Sequence, residues 1–358
     1  MKLMNDNTRV SCEDDNIQPF QKFFAACQQL LRKRLHYFLN DLQPTLRVDV
    51  EYALKEAGKL LFQTELDAGN THSTLPSGAW SLLTLLVAQH VSPEVDLFVV
   101  ESVAVAVECF ICALDLLDDV EDEDQTPIMR DLGTARVLNV STTLLMLAQR
   151  AILSLSRHEV SSILIISVLN TLQNAALEAT AGQHLDLVAE QQPATDFTDE
   201  KCIEIAAGKA GALMSLACQL GAICAGADEE TYKHFSELGK LLGIANQLDN
   251  DCHDLYYLLQ DEGTLALDSN MQISRKSAKT DLLRKKKTLP VVIAARIEKV
   301  MQLSGDKQPQ ARQLAFNEGI LATWGICLLY RERVRDSLQE IEARHPISPA
   351  LRYLLGFE

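Results

Sequence analysis

The placement of proline constrains this chain most. No proline stands between Pro127 and Pro193, and none between Pro193 and Pro290. Stretches that long without a helix breaker carry apolar residues at helical spacing, amid abundant Ala, Leu, Glu and Gln. No alternating strand pattern and no hairpin dipeptide competes with them. The pattern predicts an all-α protein of roughly ten to thirteen helices. With 358 residues, 47% of them hydrophobic, the chain can bury one large core. A mean hydropathy of +0.00 excludes a disordered chain and a multi-span membrane protein.

Residues 1–18 read as a mobile tail, and 19–358 as a single helical domain. Pro19 opens a helix that runs to about Phe38, and a second spans about Val50–Leu66. The Gly, Asn, Ser and Pro content of 67–78 predicts a loop. Residues 97–117 are apolar nearly all round and could pass for a membrane span. Glu101, Glu108 and Asp115 interrupt them, so a central buried helix is the better expectation. Further helices are expected at 132–155, 159–189, 208–226 and 236–258. A surface loop follows at 259–280, then helix from Leu289 to about Ala343 with a break near Ser304–Gln308.

The 49 acids outnumber the 33 Lys and Arg residues, for a net charge of −16. Nucleic-acid binding needs a basic face and is not expected. The first residues are polar and lack the apolar core of a secretory leader. Nine scattered cysteines in mostly apolar context predict unpaired thiols in a reducing, cytoplasmic setting. Cys109-x2-Cys112 has no second pair to complete a zinc site.

The most unusual stretch is DLLDDVEDED at 115–124, where seven of ten residues are acidic. On a helix, Asp115, Asp118, Asp119 and Asp122 share a face. Like charges at that spacing repel, and the C-terminal end of a helix disfavours anions. Two readings stand: a solvated acidic turn, or carboxylates that hold Mg²⁺ together with substrate phosphates. A second acidic helix end favours the metal. In QLDNDCHDL (247–255), Gln247, Asp251 and Asp254 share a face with Asn250 beside them. Two such clusters across a cavity could hold several Mg²⁺ ions around one diphosphate, and the ions would invert the local charge. His253 reads as a turn or surface residue. Lys209, alone on an apolar, small-residue helix, marks either a solvated start or a polar cavity. RKSAK (275–279) and RKKK (284–287) are either solvated surface or a phosphate clamp.

Five segments in order resemble the trans-isoprenyl diphosphate synthase superfamily over about residues 50–300. Glu108…Asp118-Asp119-x-x-Asp122 is similar to its first aspartate-rich motif. GQHLDL (182–187) matches its Gly-Gln-x-x-Asp-Leu. GKAGAL (208–213) is similar to its Lys-Thr motif, with Ala210 in the Thr place. GIANQLDNDCHD (243–254) resembles its second aspartate-rich motif, with Asn250 replacing the first Asp. DLLRKKKTLP (281–290) matches Asp-Leu-x-x-Gly-Lys-x-Thr-Leu-Pro, with Lys285 in the Gly place and Lys286 as the family lysine. The resemblance implies an isoprenoid synthase helical bundle around a central apolar cavity. The partners it implies are an allylic prenyl diphosphate and a second copy of the chain. It implies three Mg²⁺ ions, held by Asp118, Asp119, Asp122, Asn250, Asp251 and Asp254, with Asp115 as an extra ligand or an orienter of Asp118. Lys209 and Lys286 would grip the diphosphate, and Gln247 would position it or the acceptor. Gln183 would do the same or make a buried inter-helix hydrogen bond. Ala113 and Leu114 would line the prenyl pocket, and without bulky aromatics there a C15 chain or longer fits. Trp80 would cap the cavity or pack in the core.

Two departures narrow the expected reaction. Where chain-elongating members carry Gly-Gly-Lys-Arg-x-Arg-Pro, this sequence has PSGAWSLL (76–83). Where they carry Arg-Arg-Gly, it has DEDQTPI (122–128). The usual cationic cradle for isopentenyl diphosphate is therefore missing, and a charge-assisted hydrogen bond is worth about 1.5–3 kcal/mol. The pattern is similar to the competence-pheromone prenyltransferases, which would make a precursor peptide the acceptor. A short-chain synthase and a terpene cyclase are the alternatives. Against the cyclase, Asn250-Asp251-x-x-Asp254 lacks the usual Ser and Glu, with Leu258 in the Glu place.

Overall fold

The structure is a computed structural model that describes residues 17–56, 80–259, 284–303, 309–344 and 346–357. The expected loops at 67–78 and 259–280 and the break at 304–308 lie outside these residues, apart from Leu259, as does all of the expected tail except its last two positions. Among the described residues there are thirteen α-helices and no strand.

Helix α1 (Ile17–Leu39) and α2 (Pro44–Glu56) form the N-terminal pair. The second starts six residues before the expected Val50. Pro44 suits a first helical turn, and the Gln43 side chain accepts the N–H groups of Thr45 (2.9 Å) and Leu46 (3.0 Å). Helix α3 (Trp80–Val91) is an addition to the expected set, because its nearly uniform apolar sequence carries no amphipathic period. Helix α4 (Leu97–Glu121) is the central element, capped by Asp96, whose Oδ1 accepts the Phe98 N–H at 2.9 Å. It packs against α1, α3, α6 and α9, and 78% of its most apolar stretch is buried within the fold.

The expected helix at 132–155 is observed as one helix, preceded by a short one that is not among those expected. Gly133, at φ +74°, separates α5 (Pro127–Leu132) from α6 (Thr134–Leu153). Ser161 caps α7 (Ser162–Ala189) through the Ile163 N–H. Thr198 caps α8 (Asp199–Ala206), a span too short for sequence periodicity to expose. A π-helical turn at Ala207–Gly211 then leads into α9 (Ala212–Cys224). Helix α10 (Glu229–Leu259) starts seven residues early, where Asp228 accepts the Thr231 N–H at 2.8 Å. Helices α11 (Leu289–Leu303), α12 (Pro309–Glu342) and α13 (Pro349–Leu354) complete the bundle.

The main apolar cluster draws on α1–α7, α9, α10, α12 and α13. A smaller one joins α8, α10, α11 and α12 beneath the acidic helix ends. Eight described cysteines are buried and none is disulfide-bonded. Burial holds the Cys109 thiol well above its ordinary range, which suits a core residue rather than a zinc ligand.

Glycines set how closely three elements cross. A Cβ on Gly182 of α7 would lie 2.7 Å from the Gly208 carbonyl carbon, and one on Gly243 of α10 would lie 2.3 Å from the Ala210 oxygen. The π turn is thus pinned between α7 and α10 at backbone contact. Gly243→Ala should destabilise the protein by about 1–3 kcal/mol. Gly325→Ala in α12, where an added Cβ meets nothing within 4 Å, should be neutral or stabilise by about 0.5–1 kcal/mol. Paired urea denaturation curves measure the contrast.

Candidate active site

The acidic C-terminal end of α4 meets the second half of α7, the π turn and the chain at 284–287. Its carboxylates are offset by cations from separate segments. Lys209, at the centre of the π turn, donates from Nζ to Asp118 Oδ1 and to Asp186 Oδ2, each at 3.1 Å. Burial alone would lower its affinity for the proton, but Asp118 and Asp186 together raise it, so the ammonium is firmly charged. Of its two sequence readings, the solvated helix start is not observed: Lys209 is mostly buried and points into an acidic cluster. The widened turn aims this side chain at α4, as single π turns commonly do at functional sites.

Lys286 pairs with Asp122 Oδ2. Arg284 takes the Glu190 carboxylate at 3.0 Å and lies 3.9 Å from Asp122 Oδ1. Asp122 is only 3% exposed, and its Oδ1 accepts no hydrogen bond among the described residues. Burial pushes its carboxyl up to about 6, with Asp118 adding to the shift and Lys286 opposing it. Asp119 accepts the Thr126 hydroxyl at 3.1 Å. Burial pushes its carboxyl up to about 7 against that hydrogen bond, and Asp115, Asp124 and Asp118 add to the rise.

On α10, the Gln247 amide donates to Asp251 Oδ1 at 2.8 Å. Asp254 lies one turn on and is half-buried, while Asn250 is exposed. Asp251 and Asp186 both act on the Cys202 thiol, which burial in the first place pushes up to about 12. Asp251 of the second acidic cluster and Asp186 beside Lys209 thus both lie within electrostatic reach of Cys202. Both amide atoms of Gln183 are buried without a hydrogen bond among the described residues, so the alternative of an inter-helix bond is not observed. A buried amide with nothing to bind is costly unless a ligand satisfies it.

Ala113 is fully buried in the main cluster, and Leu114 packs half-buried against it. Trp80 also packs half-buried on that cluster. His253 is not a turn residue. It lies within α10, its Nδ1 2.9 Å from the Asp249 carbonyl, with its ring against Tyr257 and Trp324. Asp186 joins the site although the expected site residues do not include it; it is the Asp of the Gly-Gln-x-x-Asp-Leu match. Its signal is its place three residues after Gln183, which puts both on one helical face.

Among the described residues, no three His, Cys, Asp or Glu side chains converge to hold a single ion. The donor set nonetheless suits Mg²⁺, which usually takes one or two carboxylates and completes its shell with water and phosphate oxygens. No Lys or Arg occurs between Lys59 and Arg130. Arg130 itself is exposed and donates to the Gln125 carbonyl at 2.6 Å.

A family model described as "Polyprenyl synthetase" matches residues 79–314. The chain is 32% identical over 155 residues to the tryptophan prenyltransferase ComQ of Bacillus spizizenii, covering 43% of this chain and 50% of that one. It is 29% identical over 178 residues to a (2E,6E)-farnesyl diphosphate synthase of Mycobacterium tuberculosis, covering 49% and 44%. The chain thus spans about half the length of the curated relatives it matches. Its fold is similar to a geranylgeranyl pyrophosphate synthetase from the archaeon Geoglobus acetivorans, with TM-score 0.65, 20% identity and coverage of 94% and 96%. It is equally similar to a polyprenyl synthase from Caulobacter crescentus complexed with calcium and isoprenyl diphosphate, with TM-score 0.65, 20% identity and coverage of 98% and 97%.

Folding raises the Asp119 carboxyl from 3.8 to about 7, so between those pH values the folded chain holds more protons than the unfolded one. Stability from this group therefore falls as pH rises. In chelator, Asp119→Asn should melt a few degrees above the parent at pH 8, and the gap should close toward pH 4. Thermal melts across that range measure it.

Proposed function

The chain belongs to the polyprenyl synthetase family, and from that premise we propose that it is a Mg²⁺-dependent prenyltransferase. It ionises an allylic prenyl diphosphate of the geranyl or farnesyl class and passes the prenyl group to an acceptor that carries no diphosphate. The observation that carries this reading is an asymmetry. Two cations that would grip one diphosphate are present, Lys209 paired with Asp118 and Asp186 and Lys286 paired with Asp122. The cations of the second are missing from residues 60–129.

Asp118, Asp119 and Asp122 on α4 and Asp251 and Asp254 on α10, with Asn250 in support, would hold the Mg²⁺ ions. The orphaned Oδ1 of Asp122 is one oxygen that such an ion would satisfy. When bound, Mg²⁺ neutralises the diphosphate and makes it a better leaving group. Lys209 and Lys286 donate charge-assisted hydrogen bonds to the phosphate oxygens as the C–O bond breaks. The buried Gln183 amide and the Gln247 amide orient the diphosphate or the acceptor. Half-buried Leu114 would line the prenyl tail, whereas Ala113 is closed off within the main cluster. The apolar core around α4 keeps water from the allylic cation until the acceptor's electron pair reaches it.

A relative named for tryptophan prenylation supports a peptide indole as the acceptor. Relatives named as farnesyl and geranylgeranyl diphosphate synthases support chain elongation as the second reading. With Mg²⁺ and farnesyl diphosphate, the protein should release diphosphate. Adding isopentenyl diphosphate should yield no longer prenyl diphosphate, and elongation would overturn the proposed acceptor. Asp119→Ala should lower diphosphate release by about 10²-fold or more while circular dichroism stays unchanged.

The same reading includes a homodimer in the cytoplasm. Four helices are long and apolar enough to cross a membrane by composition. Two of them, α6 and α7, turn apolar side chains outward: Met146 and Leu153 on α6, with Ile163, Ile166 and Leu177 on α7. A neighbouring pair of helices with apolar residues this exposed suits burial against a second copy. Sedimentation should give twice the 39.7 kDa chain mass, and Ile166→Glu with Leu177→Glu should shift it to monomer.

A further inference from the structure

Behind the basic run at 284–287 lies a cavity of about 420 Å³ that the proposed reaction does not use. That volume suits a small molecule. Its floor is formed by Val291 and Ala295 of α11 and Phe316 of α12, and Lys285, Lys287 and Arg312 line it.

Lys287 is the first clue. It is only 4% exposed, and its Nζ donates to the carbonyls of Lys285 and Glu190, the latter at 3.4 Å. Among the described residues no carboxylate forms an ion pair with it. The carbonyl end of α7 offsets part of the charge, but a dipole is not a counterion. Two acids, Glu190 and Glu298, also line the cavity, against the four cations Lys285, Lys286, Lys287 and Arg312. The Glu190 carboxylate is taken by Arg284, and Glu298 accepts from Gln302 at 3.2 Å.

Lys285 is the second clue. Its backbone sits at φ +65°, in the left-handed region that favours glycine. The resembling motif has Gly at this position, yet the sequence keeps a lysine whose side chain lines the cavity. Strain of this kind persists where the side chain is wanted. The third clue is Arg312, whose guanidinium carbon lies 5.5 Å from the Phe316 ring centroid and is held beside the apolar floor. In a chain with a net charge of −16, this cavity runs against the general sign.

The geometry points to a second oxyanion site: the cavity binds a phosphate or carboxylate group carried on a small apolar or aromatic body. Lys287 and Lys285 face the anion, Arg312 closes on it from α12, and Phe316 with Val291 and Ala295 takes the body. Lys286 lines the same cavity while pairing with Asp122, so it forms a wall common to this site and the acidic one.

The test is calorimetric titration of the full chain in chelator, with inorganic phosphate and, separately, N-acetylphenylalanine. One of the two should bind saturably at one site per chain. Tighter phosphate binding identifies a phosphate ester as the ligand, and tighter N-acetylphenylalanine binding identifies a carboxylate. Lys285→Gly combined with Arg312→Gln, which returns glycine to the left-handed position, should weaken binding by roughly tenfold or more. Lys287→Met should abolish it, and should that variant not fold, the double variant alone decides. Lys209→Met should leave binding intact, because Lys209 belongs to the diphosphate site. Saturable binding by neither probe, binding that survives the double variant, or binding abolished by Lys209→Met would each overturn the assignment.

Discussion

Everything at the functional end of the bundle depends on offsetting the carboxylates at the tip of α4. Repulsion between Asp118, Asp119 and Asp122 opposes that helix end, and so does the dipole of the helix that carries them. No residue within α4 relieves either. Relief comes from Lys209, Lys286 and Arg284, which lie 91 residues away from Asp118 and 164 and 162 residues away from Asp122 in the sequence. The acidic tip is therefore tolerable only once α7, the π turn and the chain before α11 have docked on it. Burial in that docked arrangement, with the neighbouring acids adding to it, raises the carboxyls of Asp119 and Asp122.

Close packing explains how the offset is held in place. Gly182 against Gly208 and Gly243 against Ala210 let three backbones touch, with no side chain to space them apart. The π turn between them is wider than an α-helical one, and that extra width carries Lys209 across to both Asp118 and Asp186. An α-helical turn at the same place would rotate the lysine away from one of its partners. The local irregularity and the bridging ammonium are two aspects of the same packing.

Much of this was legible in the sequence, for identifiable reasons. Sparse prolines and long amphipathic periods reveal the helical class, and runs of Asp at offsets of three and four reveal the two acidic faces. The rest depends on residues distant in the chain. The π turn is written as AGKAG, which reads as ordinary helix until Gly182 and Gly243 press on it. Asp186 is visible as the Asp of a motif, but its partner Lys209 lies 23 residues on and is reached only in the fold. Helix α8 is too short for periodicity to expose, and α3 is too uniformly apolar to show a face. Gly133 could equally well have been a tolerated helical glycine, and only its φ of +74° makes it a boundary. Lys287 reads as one more member of a solvated basic run, yet it is only 4% exposed and is the one buried Lys or Arg among the described residues.

The distribution of cations bears on what the acceptor can be. Lys and Arg are plentiful where the first diphosphate would sit and absent from residues 60–129, a span that includes both α3 and α4. A second diphosphate entering beside α3 would meet Trp80 and an apolar wall in a chain that is already strongly anionic. Its desolvation would go uncompensated, whereas a neutral aromatic acceptor would meet no such penalty. Selectivity against a charged co-substrate then needs no dedicated repulsive residue. Removing the cradle is sufficient, because a site that cannot neutralise a polyanion excludes it by leaving it unpaired.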